Sequence, residues 1–161
     1  MAGLFEGMSV LITGAAGGFG SAASRRYARE GARLVLSDYS EERLEAIAED
    51  IRKEYGSDVA TLAGDIADED LSAGLVALTV ERFGRLDIAI NNAGIAQEAF
   101  ERLPKTASDE ARRIFDVDLL GMFFALKYQL PAMEKQYRET QTGGAIVNVA
   151  SVAGVTGASG L

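Results

Sequence analysis

The sequence predicts a doubly wound α/β fold: a parallel sheet in strand order 3-2-1-4-5 with helices on both faces. Three observations predict it. Short apolar runs alternate with helix-like segments along the chain, the pattern of βα units covered on both sides. The first run, Met8-Ser9-Val10-Leu11-Ile12, turns through Thr13-Gly14-Ala15-Ala16-Gly17-Gly18-Phe19-Gly20 directly into a helical segment from Ser21 to Glu30. Eighteen glycines against two prolines suit many tight strand-to-helix turns. The strand order follows from right-handed crossovers and a reversal at the first strand.

The elements follow in order. The first strand covers Ser9 to Thr13, and its helix runs from Gly18 to Glu30, with Gly31 as the closing C′ residue. Arg33 to Ser37 is the second strand and ends in Asp38; Ser40 is a good N-cap for the next helix. In that helix Leu44, Ile47, Ala48, Ile51 and Tyr55 fall on one face, and Gly56 ends it. The third strand, Val59 to Leu62, leads into Gly64-Asp65-Ile66. Asp68-Glu69-Asp70 then opens a helix at its electropositive end, with Leu71, Leu75, Leu78 and Phe83 inward and Gly84 as the stop. Leu86 to Ile90 is the fourth strand, running into Asn91-Asn92-Ala93-Gly94, and a surface segment extends to Lys105. A long helix runs from Ser108 to the Tyr137 region, with Pro131 expected to kink or restart it. Ala145 to Ala150 is the fifth strand, ending in Ser151, and a small-residue loop follows.

Composition narrows the function classes. With 48% hydrophobic and 25% charged residues, the 161 residues read as a single domain with a core of its own. A net charge of −8 argues against a nucleic-acid partner, and no apolar run is long enough to span a bilayer. The N-terminus lacks a basic n-region, so a secretory signal is not expected, and the absence of cysteine is compatible with a cytoplasmic location. The absence of both cysteine and histidine removes disulfides, Cys/His zinc sites, thiol nucleophiles and a Ser-His-Asp triad from this chain. Any enzymatic chemistry therefore needs an organic cofactor or another catalytic group.

A strand that turns through glycines into a helix N-terminus is an anion site, because turn N–H groups and the helix dipole converge there. Gly14 permits the tight turn, Gly18 lets a pyrophosphate approach the backbone, and Gly20 lets the helix pack against the strand. The alternative is a tight turn that binds nothing. Asp38 sits at the end of the second strand, where a carboxylate accepts from both ribose hydroxyls and repels a 2′-phosphate. Arg33 lies at the far end of that strand, and Tyr39 and Ser40 offer no cation, so NAD is favoured over NADP. The plain alternative for Asp38 is a solvated turn residue.

Four motifs in register carry a resemblance: Thr13-Gly14-x-x-x-Gly18-x-Gly20, Asp65-Ile66, Asn91-Asn92-Ala93-Gly94, and Ile146-Val147-Asn148-Val149-Ala150-Ser151. Together they resemble the classical short-chain dehydrogenase/reductase family over nearly the whole chain, which implies a Rossmann-like fold and an NAD-linked alcohol or ketone oxidoreductase. The resemblance implies cofactor contacts from Gly14, Gly18, Phe19 and Gly20, and from Asp65 and Ile66 to the adenine. It also implies that Asn92, Ala93 and Gly94 line the cofactor, and that Ser151 is the catalytic serine bonding the substrate oxygen. As a residue alone, a serine after a strand is also a common turn or cap residue.

Two departures from the family pattern stand out. Asp118-Leu119-Leu120-Gly121 occupies the place of the family's Asn-Leu-x-Gly, whose asparagine carbonyl holds a water in a proton relay. An aspartate keeps that carbonyl and adds charge, so the relay is expected to be retuned; a helix carboxylate bonded to nearby backbone is the plainer reading. The family's base is the tyrosine of a Tyr-x-x-x-Lys motif beyond the serine, and none of Tyr27, Tyr39, Tyr55, Tyr128 and Tyr137 has a lysine four residues on. The 161 residues alone are therefore expected to be inactive; a nucleotide-binding or interaction module, or a truncation product, is the alternative. The resemblance further implies a homo-oligomer formed through the long helix carrying Val117, Leu120, Phe124 and Leu130, and expects an exposed apolar face and an unpaired fifth strand.

Overall fold

The computed structural model describes residues 3–97 and 102–156. Strand β1 (Ser9–Thr13) is buried along its whole length, as a central strand flanked by helices must be. The connection after it becomes α1 (Gly18–Arg29) and leads to β2 (Arg33–Ser37), which lies parallel to β1 with Val10 opposite Leu34 and Ile12 opposite Leu36. Next come α2 (Glu41–Tyr55) and β3 (Val59–Thr61), and β3 adds parallel to the free side of β2. The chain then crosses back through α3 (Glu69–Phe83) to β4 (Ile88–Asn91), on the opposite side of β1. After α4 (Ser108–Ile114), a π-helical turn (Phe115–Leu120) and α5 (Gly121–Thr140), β5 (Ala145–Asn148) pairs with β4; a short α6 (Ala153–Thr156) follows. The sheet order is β3-β2-β1-β4-β5, all parallel, as the sequence predicts.

Local chemistry sets most boundaries. Ser40 caps α2 through the Arg43 N–H, and Asp68 caps α3 through the Asp70 N–H. Gly31, Gly56 and Gly84 all take left-handed φ just past helix ends. One core cluster, under α1 and α2, gathers Val10, Ile12, Leu34, Leu36, Leu44, Ala48 and Ile51. The other, under α3 and α5, gathers Leu11, Val35, Leu71, Leu75, Phe83, Ala89 and Met133. Alternate residues of β1 and β2 thus feed opposite faces.

Three expectations need correction. The expected single helix from Ser108 contains a π-helical turn, and α5 does not restart at Pro131 but stays helical through it. Pro131 lies on the solvent side of α5, where a lost backbone hydrogen bond is open to water, while buried Gln129, Met133 and Gln136 hold the other face. The π-helical turn has a packing reason: Val117, Gly121, Ala125, Gln129 and Met133 are buried at strict steps of four. Each such step overshoots an ideal 3.6-residue turn, and the wider turn offsets this across the step from Val117 to Gly121. Second, the expected apolar outer face holds only in part. Val117 is buried and Phe124 half-buried, while Leu120 and Leu130 are exposed beside Phe115, Leu119 and Phe123. Third, β5 ends at Asn148 rather than Ala150, although the Val149 N–H still bonds the Asn91 carbonyl. Among the described residues, no helix is long and apolar enough to cross a membrane.

Candidate functional site

The glycine turn is held in shape from two sides. Thr13 Oγ1 accepts the backbone N–H groups of Asn92 and Ala93, both at 3.1 Å. In return Asn92 Nδ2 donates to the carbonyls of Thr13 (3.0 Å) and Gly14 (3.2 Å). Gly14 has φ +64°, and a Cβ there would lie 2.8 Å from Asn92 Nδ2, so only glycine fits between β1 and the end of β4. From the β2 side, the Ala15 N–H bonds the Ser37 carbonyl at 2.9 Å, and the Ala16 N–H bonds Asp38 Oδ2 at 2.9 Å. A Cβ on Gly20 would sit 2.1 Å from the Gly14 carbonyl oxygen: this glycine lets α1 start directly on the turn. Gly18 differs, since nothing lies within 4 Å of its Cβ position.

The start of α1 has a different chemistry from those of its neighbours. Serine caps α2 and aspartate caps α3, and each has two acidic residues in its first turn. By contrast, α1 begins after Gly17 with no side-chain cap and no acid in its first turn. The first-turn N–H groups of a helix have no intrahelical acceptor, so α1 presents uncompensated donors and positive dipole at the carboxyl edge of the sheet. That is the donor set a pyrophosphate requires, with the open space at Gly18 beside it.

A pocket of about 380 Å³ lies next to this helix start. Thr13, Gly14, Asp38, Asp65, Ile66, Ala93 and Gly94 line it, all from strand ends or the turns after them. Among the other lining residues, sequence reasoning did not bring Arg43, Arg113 and Val117 to the site, because each arrives from a helix by tertiary packing. Asp38 Oδ1 also accepts the Ser40 N–H at 3.2 Å, which fixes the carboxylate at the pocket wall. Arg43 Nη2 donates to the Ala16 carbonyl at 2.7 Å. Asp65 is engaged twice: Arg113 Nη2 lies 2.9 Å from its Oδ2, and the Ala67 N–H donates to its Oδ1 at 3.0 Å. The pocket therefore carries two carboxylates and two guanidiniums, of which only Asp65 and Arg113 form an ion pair.

Not every residue singled out in the sequence reaches this pocket. Gly18 and Phe19 are exposed at the start of α1, and Gly20 is buried beneath it. Asn92 holds the turn from outside the lining. Asp118, in the π-helical turn, is exposed, and its Oδ1 accepts the Ile95 N–H at 2.9 Å, holding the chain just after Gly94. Ser151 follows β5, is exposed, and its Oγ accepts the Ala153 N–H at 3.2 Å. Behind these, a carboxamide cluster, buried at Asn91 and Gln129 and exposed at Asn148, ties β4, α5 and β5 together. Asn91 Nδ2 donates to Gln129 Oε1 (3.0 Å) and Asn148 Oδ1 (2.9 Å), and Gln129 Nε2 donates back to Asn91 Oδ1 (2.8 Å). Of the surface segment that extends to Lys105, residues 98–101 lie outside the described residues, as do 157–161 of the loop after Ser151. Among the described residues, no group of three or more acidic side chains could hold a metal ion.

The same architecture and motifs recur in known proteins. A family model described as short chain dehydrogenase matches residues 8–161. An uncharacterized oxidoreductase of Thermotoga maritima is 39% identical over 153 residues, covering 95% of this chain and 57% of that protein. A trans-4-hydroxycyclohexanecarboxylate dehydrogenase of Sinomonas cyclohexanicum is 38% identical over 152 residues, 91% of this chain and 56% of its own. The solved structure of an NAD+-bound xylitol dehydrogenase superposes with a TM-score of 0.88 at 35% identity, covering 96% of this chain and 57% of that one. The chain thus spans little more than half the length of these relatives. With the glycine turn, the strand order and the family match agreeing over almost its whole length, the chain belongs to the short-chain dehydrogenase/reductase family.

Proposed function

We propose that these residues form the dinucleotide-binding half of an NAD-dependent oxidoreductase that moves a hydride between the nicotinamide and an alcohol or ketone carbon. The uncapped, acid-free start of α1 carries this reading, because its N–H donors and dipole suit a pyrophosphate and the adjoining α2 and α3 lack that opening. Gly18 is assigned to the close approach of the backbone, with Phe19 and Gly20 completing the turn. Asp38 is assigned to the ribose hydroxyls of the adenosine half, and its negative charge supports NAD over NADP. Asp65 and Ile66 are assigned to the adenine, and Asn92, Ala93 and Gly94 to the floor of the site. When bound, the nicotinamide supplies or accepts the hydride at its C4.

Ser151 is assigned to hydrogen-bond the substrate oxygen, and the main-chain carbonyl of Asp118 to a relay water. In oxidation, the carbinol hydrogen leaves as hydride and the hydroxyl proton must pass to a base. No tyrosine in this sequence has a lysine four positions on, so the base is assigned to a tyrosine–lysine pair outside these residues. The lysine would lower the tyrosine pKa by its charge. Relatives described as acting on a hydroxycyclohexanecarboxylate and on xylitol support a small alcohol or its ketone as substrate. A second copy of the chain is proposed to pair on the exposed apolar side of the π-helical turn and α5, where Leu120 and Leu130 lie.

Calorimetry on the full-length polypeptide tests the reading. NAD+ is expected to bind at least about tenfold tighter than NADP+, a difference of ~1.4 kcal/mol. Tighter NADP+ would overturn the assignment of Asp38, and binding of neither would leave an interaction module. Residues 1–161 alone are expected to give no turnover of an alcohol with NAD+; measurable turnover would mean that another group serves as base.

A further inference from the structure

Arg43 stands out once the charged groups of the pocket are paired off. Arg113 is neutralised by Asp65 at 2.9 Å. Asp38 is satisfied by two backbone N–H groups, from Ala16 and Ser40. Arg43 has no carboxylate partner among the described residues; its guanidinium bonds only the Ala16 carbonyl, at 2.7 Å. A guanidinium has five N–H donors in a rigid fork, so most of its donor capacity is unused. The contact also holds the group still, on the same residue whose N–H is held by Asp38. Asp38 and Arg43 thus grip the two sides of one peptide residue and line the same pocket with opposite charge.

From this geometry we propose that Arg43 is a second specificity-determining residue of the dinucleotide site, a pre-positioned ligand for a 2′-phosphate that the Asp38 carboxylate keeps from being used. With Asp38 charged, a dianionic phosphate entering that corner meets repulsion that outweighs the attraction of the guanidinium. Without that carboxylate, the spare Arg43 donors bind the phosphate in a charge-assisted, forked contact. Cofactor preference is then set by a pair of residues five positions apart, not by Asp38 alone, and removing Asp38 both ends a repulsion and releases an attraction. The proposal rests on the assignment of this pocket to the adenosine end of a dinucleotide.

The test is a double-mutant cycle on the full-length polypeptide, with NAD+ and NADP+ as probes and the ratio of their dissociation constants as readout. A merely structural role for Arg43, bracing Ala16, would weaken both dinucleotides alike and leave the ratio unmoved. Asp38→Ser is expected to shift the ratio toward NADP+ by at least about tenfold, and Asp38→Ser with Arg43→Ala to lose most of that shift. Arg43→Lys in the same background is expected to keep part of it, since the charge remains without the fork. Raising ionic strength should shrink the gain. Should Asp38→Ser fold poorly, Asp38→Asn keeps an acceptor for the Ala16 N–H and takes its place. A double variant that retains the full shift, or a serine or asparagine variant that gains nothing, overturns the role of Arg43. Failure of the parent protein to bind either dinucleotide would instead sink the functional reading beneath it.

Discussion

At the scale of single residues, the glycines of the turn separate into two kinds. A Cβ on Gly20 would press into the Gly14 carbonyl at 2.1 Å and the Ala15 Cα at 2.9 Å, both backbone atoms that cannot rotate away. Gly20→Ala is therefore expected to cost about 1–3 kcal/mol of stability, read from urea unfolding. Gly18 has open space at its Cβ position, so Gly18→Ala should melt with the parent while weakening dinucleotide binding by tenfold or more. Equal effects of the two substitutions on melting would contradict this division of labour. The turn glycines and Asp38 were legible in the sequence because their chemistry is local. Arg43 and Arg113 were not, since only the packing of α2 and α4 carries them to the pocket.

At the scale of elements, helix ends were legible and helix interiors less so. Ser40, Asp68, Gly56 and Gly84 mark boundaries by side-chain capping or by φ, which the local sequence dictates. The π-helical turn depends on how the buried stripe from Val117 to Met133 meets β4 and α3, and no local signal announces it. Pro131 does not restart the helix, because on the solvent face it disturbs none of the buried contacts. The carboxamides of Gln129, Asn91 and Asn148 link α5 to β4 and, through Asn91, to β5. Gln129→Leu would strip Asn91 of one donor and one acceptor, and is expected to cost about 1–3 kcal/mol. The urea midpoint should fall with the slope unchanged, and an unmoved midpoint would argue against the cluster.

A second join between elements lies on the surface, where Glu69 of α3 accepts from Lys127 Nζ and from the Tyr128 hydroxyl of α5. The hydrogen bond from Lys127, then that from Tyr128, holds the Glu69 carboxyl below its ordinary 4.5. The same bond raises Lys127, and Tyr128 is raised as well, first by its bond to Glu69. A carboxyl with a depressed folded-state pKa adds stability that is present above its unfolded value and lost as pH falls through the folded one. Glu69→Gln should therefore melt earlier than the parent at pH 7, with the gap closing below about pH 4.5. A gap that persists in acid would mean that shape, not charge, makes this contact.

At the scale of the whole molecule, burial falls off across the sheet. β1 is wholly buried and β2 nearly so, whereas three of the four residues of β5 are exposed. On the same side, Phe115, Leu119, Phe123, Leu130 and Tyr137 present apolar side chains to solvent, with Val147, Val149 and Val152 near the outer strand. Such an apolar surface beside an open strand edge favours association. The 161-residue polypeptide is expected to self-associate, and light scattering consistent with a monodisperse, cooperatively melting 17.1 kDa monomer would refute this. The strand order was legible because it follows from connection rules, while the apolar outer face was misassigned at Val117, which is buried and lines the pocket.

The hydrogen bonds between Thr13 and Asn92 span 79 positions of sequence. Contacts that distant carry a large loop-closure cost and form late in a folding reaction. The first βαβ unit can collapse on its own short-range contacts, yet the turn after β1 has its full set of partners only once β4 docks beside it. The pocket beside the glycine turn therefore reports on folding, because its walls are complete only after β4 has docked. If the turn is completed after the rate-limiting step, a ligand that needs the finished turn is expected to slow unfolding far more than it speeds folding, which chevron kinetics with and without ligand would check. Binding competence during refolding should lag the burst of helix formation and keep step with protection of the β4 amides from hydrogen exchange.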